Sequence, residues 1–304
     1  MKRVNSLYHI PVLLNNCIDG LKIDPTGIYV DVTFGGGGHS LEILKKLGEK
    51  GRLLAFDQDP EAASNAPDDD RFELIEGNFE FVRNFLRERG IKKVDGVLAD
   101  LGVSSHQFNK AERGFSIRFD GPLDMRMSKQ GEYTAKMIAN RYSEDELKLM
   151  LRNFGELRNA PAVARKIVQA RDEKQISTVF ELKEAVSKSA PWGKENQFYA
   201  RVFQAFRIEV NQELKVLGNF LERMPDVLKP GGRLVVMSYH SLEDRMVKNF
   251  LRSGNTKGIV EKDFYGNIIR PFNPITSKAI KPDEDEIKIN SRARSARLRI
   301  AEKT

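Results

Sequence analysis

The sequence predicts an α/β protein: an open, mostly parallel sheet interrupted by an inserted, mainly helical domain. Three observations carry this. Short β-branched strands alternate with apolar-periodic helices through the first hundred or so residues. Four consecutive glycines, 35–38, join the first strand to the helix that follows. About 130 residues separate the fourth strand from the fifth, far more than a helical crossover needs.

Taken in order, Tyr8-His9-Ile10-Pro11-Val12-Leu13-Leu14 leads into a short amphipathic stretch ending at Gly20, with His9 a minor candidate for a ligand contact. Ile28, Val30 and Val32 supply β-branched mass for a buried first strand. The glycines cannot continue it. They permit a tight turn and let backbone approach a ligand with no Cβ between. Ser40 opens a helix with Leu41, Leu44 and Leu47 as its apolar face, ending at Gly48. A helix N-terminus over the end of a parallel sheet is a cofactor seat. No Lys-Ser/Thr pair follows the glycines, which excludes a P-loop. Ser40 stands where the third glycine of the dinucleotide fingerprint belongs, which disfavours NAD. The second strand, 52–57, ends in Asp57, which lies 19 residues after Gly38. At that spacing an acid reaches a ribose hydroxyl pair, so the pattern points to an adenosine-bearing ligand.

Asp59-Pro60 starts the next helix, and residues 71–76 alternate as a third strand. Phe79, just beyond it, can lie against an adenine or can staple the helix that carries Phe81, Phe85 and Leu86. Residues 92–100 form the fourth strand and end in Asp100. In an open parallel sheet the ligand crevice lies beyond the carboxyl ends of the strands. The glycine loop, Asp57, Phe79 and Asp100 occupy the ends of strands one to four, so one site can gather all of them. The fifth strand, 232–238, follows a turn at Leu228-Lys229-Pro230-Gly231.

The intervening chain reads as helical, with the insert placed at 111–211. Ser143 with Glu146 and Thr178 with Glu181 make capping boxes. The first precedes Leu147, Met150, Leu151 and Phe154 on one face; the second precedes Leu182, Ala185 and Val186. Pro161 starts a helix with Val163, Ile167 and Val168 inward. A long helical run begins near Phe198, and its later half, Leu214, Leu217, Phe220, Leu221 and Met224, returns to the sheet. The basic tail, 292–300, has strand-like alternation; its arginines meet phosphates or guard an edge strand.

Composition narrows the class. Lys and Arg number 50 against 43 Asp and Glu, a net charge of +7 that is compatible with a nucleic-acid partner. One cysteine, Cys17, excludes a disulfide framework and a cysteine-type zinc site, and fits a reducing cytoplasm. No metal cluster is visible among four dispersed histidines. No stretch has the length and apolarity of a membrane span, and no secretory signal core is seen.

Several strings now carry a resemblance. They are Asp31-x-Thr33-x-Gly35-x-Gly37-Gly38-His39-Ser40, Asp100-Leu101-Gly102-Val103-Ser104-Ser105, Glu112-Arg113-Gly114-Phe115-Ser116 and Asp120-Gly121-Pro122-Leu123-Asp124-Met125-Arg126-Met127. Phe203-Gln204-Ala205, His240-Ser241-Leu242-Glu243-Asp244-Arg245 and Arg292-Ala293-Arg294-Ser295 belong with them. Together the chain resembles the MraW/RsmH family over nearly its whole length. The resemblance implies a Rossmann-like class I methyltransferase domain, residues 1–110 and 212–304, with 111–211 inserted for RNA recognition. It implies S-adenosylmethionine as cofactor and the exocyclic N4 of a cytidine in bacterial small-subunit ribosomal RNA as acceptor, within an assembled or nearly mature subunit in the cytoplasm. By the family pattern Gly37, Gly38, His39, Asp57, Phe79, Asp100 and Gln107 contact the cofactor. Two departures stand out: His106 occupies a proline position, and 154–161 is less basic than the family's run there.

A cytosine N4 lone pair is delocalised into the ring, so an acceptor for its protons would localise it. Asp100 is the candidate, assisted by Ser104 or by Ser238-Tyr239-His240; its other role is to hold the cofactor's amino group. His240 is a candidate proton acceptor or a helix cap. Methylation at C5 commonly needs a cysteine nucleophile, and Cys17 lies outside every strand-end motif. The target base must leave its stack, and Phe115, Arg118 and Phe119 are candidates to stack on it or to fill a core.

Overall fold

The computed structural model describes residues 11–304. His9 and its neighbours Tyr8 and Ile10 lie outside the described residues. The chain forms two compact units, one from residues up to Gly102 together with Lys215–Thr304, the other Val103–Leu214.

The first unit is built on a seven-stranded sheet: β1 (Ile28–Asp31), β2 (Arg52–Asp57), β3 (Phe72–Glu76), β4 (Val94–Asp100), β5 (Leu228–Ser238), β6 (Phe272–Pro274) and β7 (Arg297–Lys303), in the order β3-β2-β1-β4-β5-β7-β6. Strands β1 to β5 pair in parallel, and β7 runs antiparallel between β5 and β6. The chain steps outward from β1 to β3, then returns to place β4 on the other side of β1. That reversal makes a switch point at which a crevice opens beyond the strand ends.

Successive side chains point to opposite faces, which explains why the central strands are apolar without interruption. Val30, Leu54, Phe56, Val97 and Val236 enter one core with Phe220, Leu221 and Met224. Tyr29, Leu53, Leu98, Val235 and Met237 enter another with Cys17, Ile43 and Leu44.

Three elements differ from expectation. The first-loop helix is Gly38–Lys46, starting two residues before Ser40, and Leu41 is 42% exposed while Ile43 and Leu44 are buried. Ser40 faces inward because its hydroxyl is held by Asp31, and this rotates Leu41 to the surface. The turn at 228–231 lies inside β5 as an irregularity: Val94 pairs with Leu228 and Gly96 with Arg233, with Gly231 at φ 78° absorbing the extra residues. The basic tail is no edge strand, since β7 is paired on both sides. Of its arginines, Arg299 meets Asp244 at 2.7 Å, so that one serves the fold; on the other face of the pairing Arg233 of β5 meets Glu302 of β7 at 2.9 Å.

The second unit packs Ala135–Arg141, Glu144–Gly155, Ala160–Glu173, Val179–Val186 and Glu195–Asn211 around one core. Both capping boxes form: the Ser143 hydroxyl accepts from the Glu146 N–H, the Thr178 hydroxyl from the Glu181 N–H, and each glutamate reaches back to its cap. Leu147, Met150, Leu151, Val163 and Ile167 are buried, whereas Phe154 and Val168 are half-buried. The long helical run is broken at Gln212, φ 48°, between Glu195–Asn211 and Glu213–Val227. Val103 and Phe108 pack on the helical core, so this unit starts at 103, ahead of the expected 111, and ends at 214 where 211 was expected.

Candidate active site

Three carboxylates mark the carboxyl ends of β1, β2 and β4. Asp31, on β1, is 1% exposed. Its carboxylate accepts from the Ser40 hydroxyl at 2.7 Å and from the Thr33 N–H at 3.1 Å. Asp57, on β2, accepts from the Gly35 N–H and the Asp59 N–H, both at 2.8 Å, and so fastens the glycine loop to the next strand. Asp100, on β4, donates its backbone N–H to the Thr33 hydroxyl at 2.6 Å. Its Oδ1 accepts from the Tyr239 hydroxyl at 2.8 Å, and its Oδ2 lies 3.8 Å from His39 Nδ1.

The glycine loop has local reasons for its composition. Gly37 caps the helix at φ 77°, a conformation that favours glycine. At Gly38 a Cβ would lie 2.3 Å from Pro11 Cγ, closer than any side chain tolerates. His39 follows in the first turn, 6% exposed, and its Nε2 has no hydrogen-bond partner among the described residues. A buried donor or acceptor left open is costly unless a ligand completes it.

Electrostatics set this place apart. Burial pushes Asp57 up to about 6, against the pull of the Asp59 and Gly35 N–H groups, with Asp59 and Asp31 adding repulsion. Burial likewise pushes Asp100 up to about 6; His39 and the Tyr239 hydroxyl pull it down, and Asp31 and Glu243 push it up. Asp31 is raised by burial too, despite its bonds to Ser40 and Thr33. Among the described residues none of the three carboxylates has a lysine or arginine in salt-bridge range. The site is anionic and largely desolvated, with the glycine-loop helix beginning beside it. It suits an adenosine ligand that itself carries positive charge, whose arrival would supply the missing counter-ion.

Other expected residues are distributed as follows. Phe79 lies just after β3, half-buried, edge-on to Phe220 at 5.2 Å between ring centroids. Gln107 belongs to the second unit. There it is 5% exposed and completes a capping box with Ser104. His240 caps the helix Ser241–Ser253: its Nδ1 accepts from the Glu243 N–H at 3.4 Å, and its Nε2 faces the Glu243 carboxylate at 3.2 Å. The ring lone pair is thereby committed to the cap. Phe115 is buried in the second unit's core, while Phe119 is 51% exposed and Arg118 is exposed.

Asp31 and Thr33 were not singled out as site residues, and Tyr239 was named only within Ser238-Tyr239-His240 as an assistant to Asp100. Asp31 carried the same signal as Asp57 and Asp100, an acid at a strand end. Tyr239 had only its place after the fifth strand, since its partner is 139 residues away in sequence.

The family model described as the MraW methylase family matches residues 6–304. Ribosomal RNA small subunit methyltransferase H of Flavobacterium johnsoniae is 58% identical over 296 residues, covering 97% of this chain and 98% of that protein. Proteins of the same name from Cytophaga hutchinsonii and Bacteroides thetaiotaomicron are 55% and 52% identical, covering 98% and 100% of this chain and 100% of each relative. Matched along nearly its whole length, and identical to these relatives at more than half of the aligned positions, the chain belongs to the MraW methylase family.

Proposed function

We propose that this protein transfers a methyl group from S-adenosylmethionine to the exocyclic N4 of a cytidine in bacterial small-subunit ribosomal RNA. The observation that carries the cofactor is the set of three strand-end carboxylates with no lysine or arginine in salt-bridge range among the described residues. The names of the relatives support the RNA. The substrate is the RNA within an assembled or nearly mature small subunit, met in the cytoplasm. No helix among the described residues is long and apolar enough to cross a membrane.

The residues fit the cofactor. Gly37, Gly38 and His39 would hold it from the loop, Asp57 would accept from the ribose hydroxyls, and Phe79 would meet the adenine. Bound there, S-adenosylmethionine supplies an electrophilic methyl on a sulfonium sulfur. Asp100 is tied to Thr33 and faces His39, both from the loop side, and it would take the cofactor's ammonium group. Tyr239 keeps the Asp100 carboxylate aimed by donating to its Oδ1. The protein's further contribution is alignment of an exocyclic amine that has left its base stack.

The test is methyl transfer from labelled S-adenosylmethionine to small subunits of a strain lacking this protein, with nucleoside analysis of the product. Label in N4-methylcytidine is expected. Label on a ring carbon, or none despite bound cofactor, overturns the acceptor. Asp100→Asn run alongside separates its two roles. Weakened cofactor affinity supports the ammonium contact; a fall in kcat with cofactor affinity intact moves Asp100 to the target amine.

A further inference from the structure

Beyond the cofactor site, the first unit carries an exposed hairpin at 261–269. Lys262 and Ile268 form an antiparallel bridge, the Ile269 N–H donates to the Glu261 carbonyl at 2.9 Å, and the Asp263 N–H donates to the Asn267 carbonyl at 2.9 Å. The Asp263 carboxylate accepts from the Tyr265 and Asn267 N–H groups, both at 2.9 Å, and from the Asn267 side chain at 3.0 Å. The turn is therefore built from its own hydrogen bonds. Its tip presents two rings to water: Phe264 is 96% exposed and Tyr265 is 85% exposed, set edge to face.

Large rings held in water on an ordered turn gain nothing from the fold, and their surroundings indicate what they meet. The chain from 245 to 270 has six basic residues against two acids. One acid, Asp263, is engaged in the turn. Lys248 and Arg252 are exposed on the helix Ser241–Ser253, whose C-terminus meets the base of the hairpin: a Cβ on Gly254 would lie 3.1 Å from the Ile269 carbonyl. Among the described residues Lys248, Arg252, Lys257, Lys262 and Arg270 form no salt bridge. A partner protein with an apolar groove would leave this charge unmatched. An unpaired RNA strand matches both features, with bases for the rings and phosphates for the cations.

We infer that the hairpin at 261–269 is an RNA-contact element, in which Phe264 and Tyr265 stack on unpaired bases and the flanking lysines and arginines meet the phosphates. It rests on the RNA-methylating reading and adds a recognition element within the sheet-bearing unit, separate from the helical insert.

The experiment replaces both rings in the full-length protein. Affinity for a fluorescent single-stranded oligoribonucleotide and methyl transfer to small subunits are measured on Phe264→Ala/Tyr265→Ala, on the corresponding leucine pair and on the tryptophan pair. The alanine pair should lose about 10-fold in RNA affinity and in kcat/KM for subunits. Its kcat, cofactor affinity and circular dichroism should not change. The leucine pair should fail similarly, because it keeps apolar area and loses the flat ring; the tryptophan pair should bind as well as wild type. Unchanged RNA affinity in the alanine pair overturns the inference, as does a leucine pair that binds like wild type. Unchanged RNA affinity with loss of self-association in sedimentation assigns the rings to a second copy of the chain and likewise overturns it. A wild-type protein that methylates subunits beside an unimpaired alanine pair removes the hairpin alone. A wild-type protein that neither binds RNA nor methylates removes the underlying function.

Discussion

At the ends of β1, β2 and β4, Asp31, Asp57 and Asp100 have no arginine or lysine in salt-bridge range among the described residues, and burial raises each of them. In the second unit Asp124 meets the opposite arrangement. It grips the Arg126 guanidinium through bonds of 2.9 and 2.8 Å and accepts from the Arg126 N–H at 3.0 Å. Burial raises Asp124 as well, but the Arg126 bonds outweigh it and leave it below the ordinary carboxylate value. Both regions contain desolvated acids. The difference is where the counter-charge resides. In the loop that carries Asp124 it is part of the chain, so the acid contributes to folding. At the strand ends no lysine or arginine among the described residues supplies it, so the acids oppose folding until a cationic ligand binds.

Asp57→Asn and Asp100→Asn put the largest strain on this comparison. Each should weaken S-adenosylmethionine binding by about 10- to 100-fold, measured by calorimetry. Asp100→Asn should also melt higher than wild type at neutral pH without ligand. The sign follows from proton linkage. With Asp100 raised from 3.8 to about 6, the folded protein binds more protons than the unfolded chain across that window. The wild type therefore loses stability as the pH rises through it, and the asparagine variant does not. A variant that melts lower than wild type at pH 7 would mean that Asp100 has a cationic partner after all. Cofactor affinity should run the other way, falling as the pH drops through about 6.

Asp124→Ala should behave as the mirror image. It should cost about 2 kcal/mol in a denaturant titration, because Arg126 is left partly buried without its partner, and cofactor affinity should not move. Tyr239→Phe should produce a smaller effect, about a 5-fold loss of cofactor affinity at neutral pH. Because the lost hydroxyl held Asp100 down, the pH midpoint of binding should rise, and the affinity should recover in more alkaline buffer. The smallest effect belongs to His240. His240→Ala should lose about 1 kcal/mol of stability through the cap, and His240→Asn, which can also cap, should restore it. A methylation rate that falls in both variants would return His240 to a proton-transfer role.

Much of this was legible along the chain. Hydrophobic runs located β1 to β5, and the capping boxes at Ser143 and Thr178 located two helices, because those signals act between residues close in sequence. The glycine loop and the spacing to Asp57 pointed to an adenosine-type ligand for the same reason. What was missed depends on distant partners. Leu41 reads as inward until Asp31 holds Ser40 and turns the helix. The tail reads as an edge until β6 pairs with its far side. Phe115 and Phe119 look alike in sequence, yet only Phe115 enters a core.

By itself the sequence determined the class of fold, the order of the elements and the acids at the strand ends, since periodicity, caps and turn residues are local properties of a chain. Only the tertiary structure decided which acids are neutralised and which are left open. That depends on whether a guanidinium two residues away, as at Arg126, or a hydroxyl 139 residues away, as at Tyr239, is brought within hydrogen-bonding distance. It depends equally on how far each carboxylate is withdrawn from water, which the neighbouring strands and helices set together.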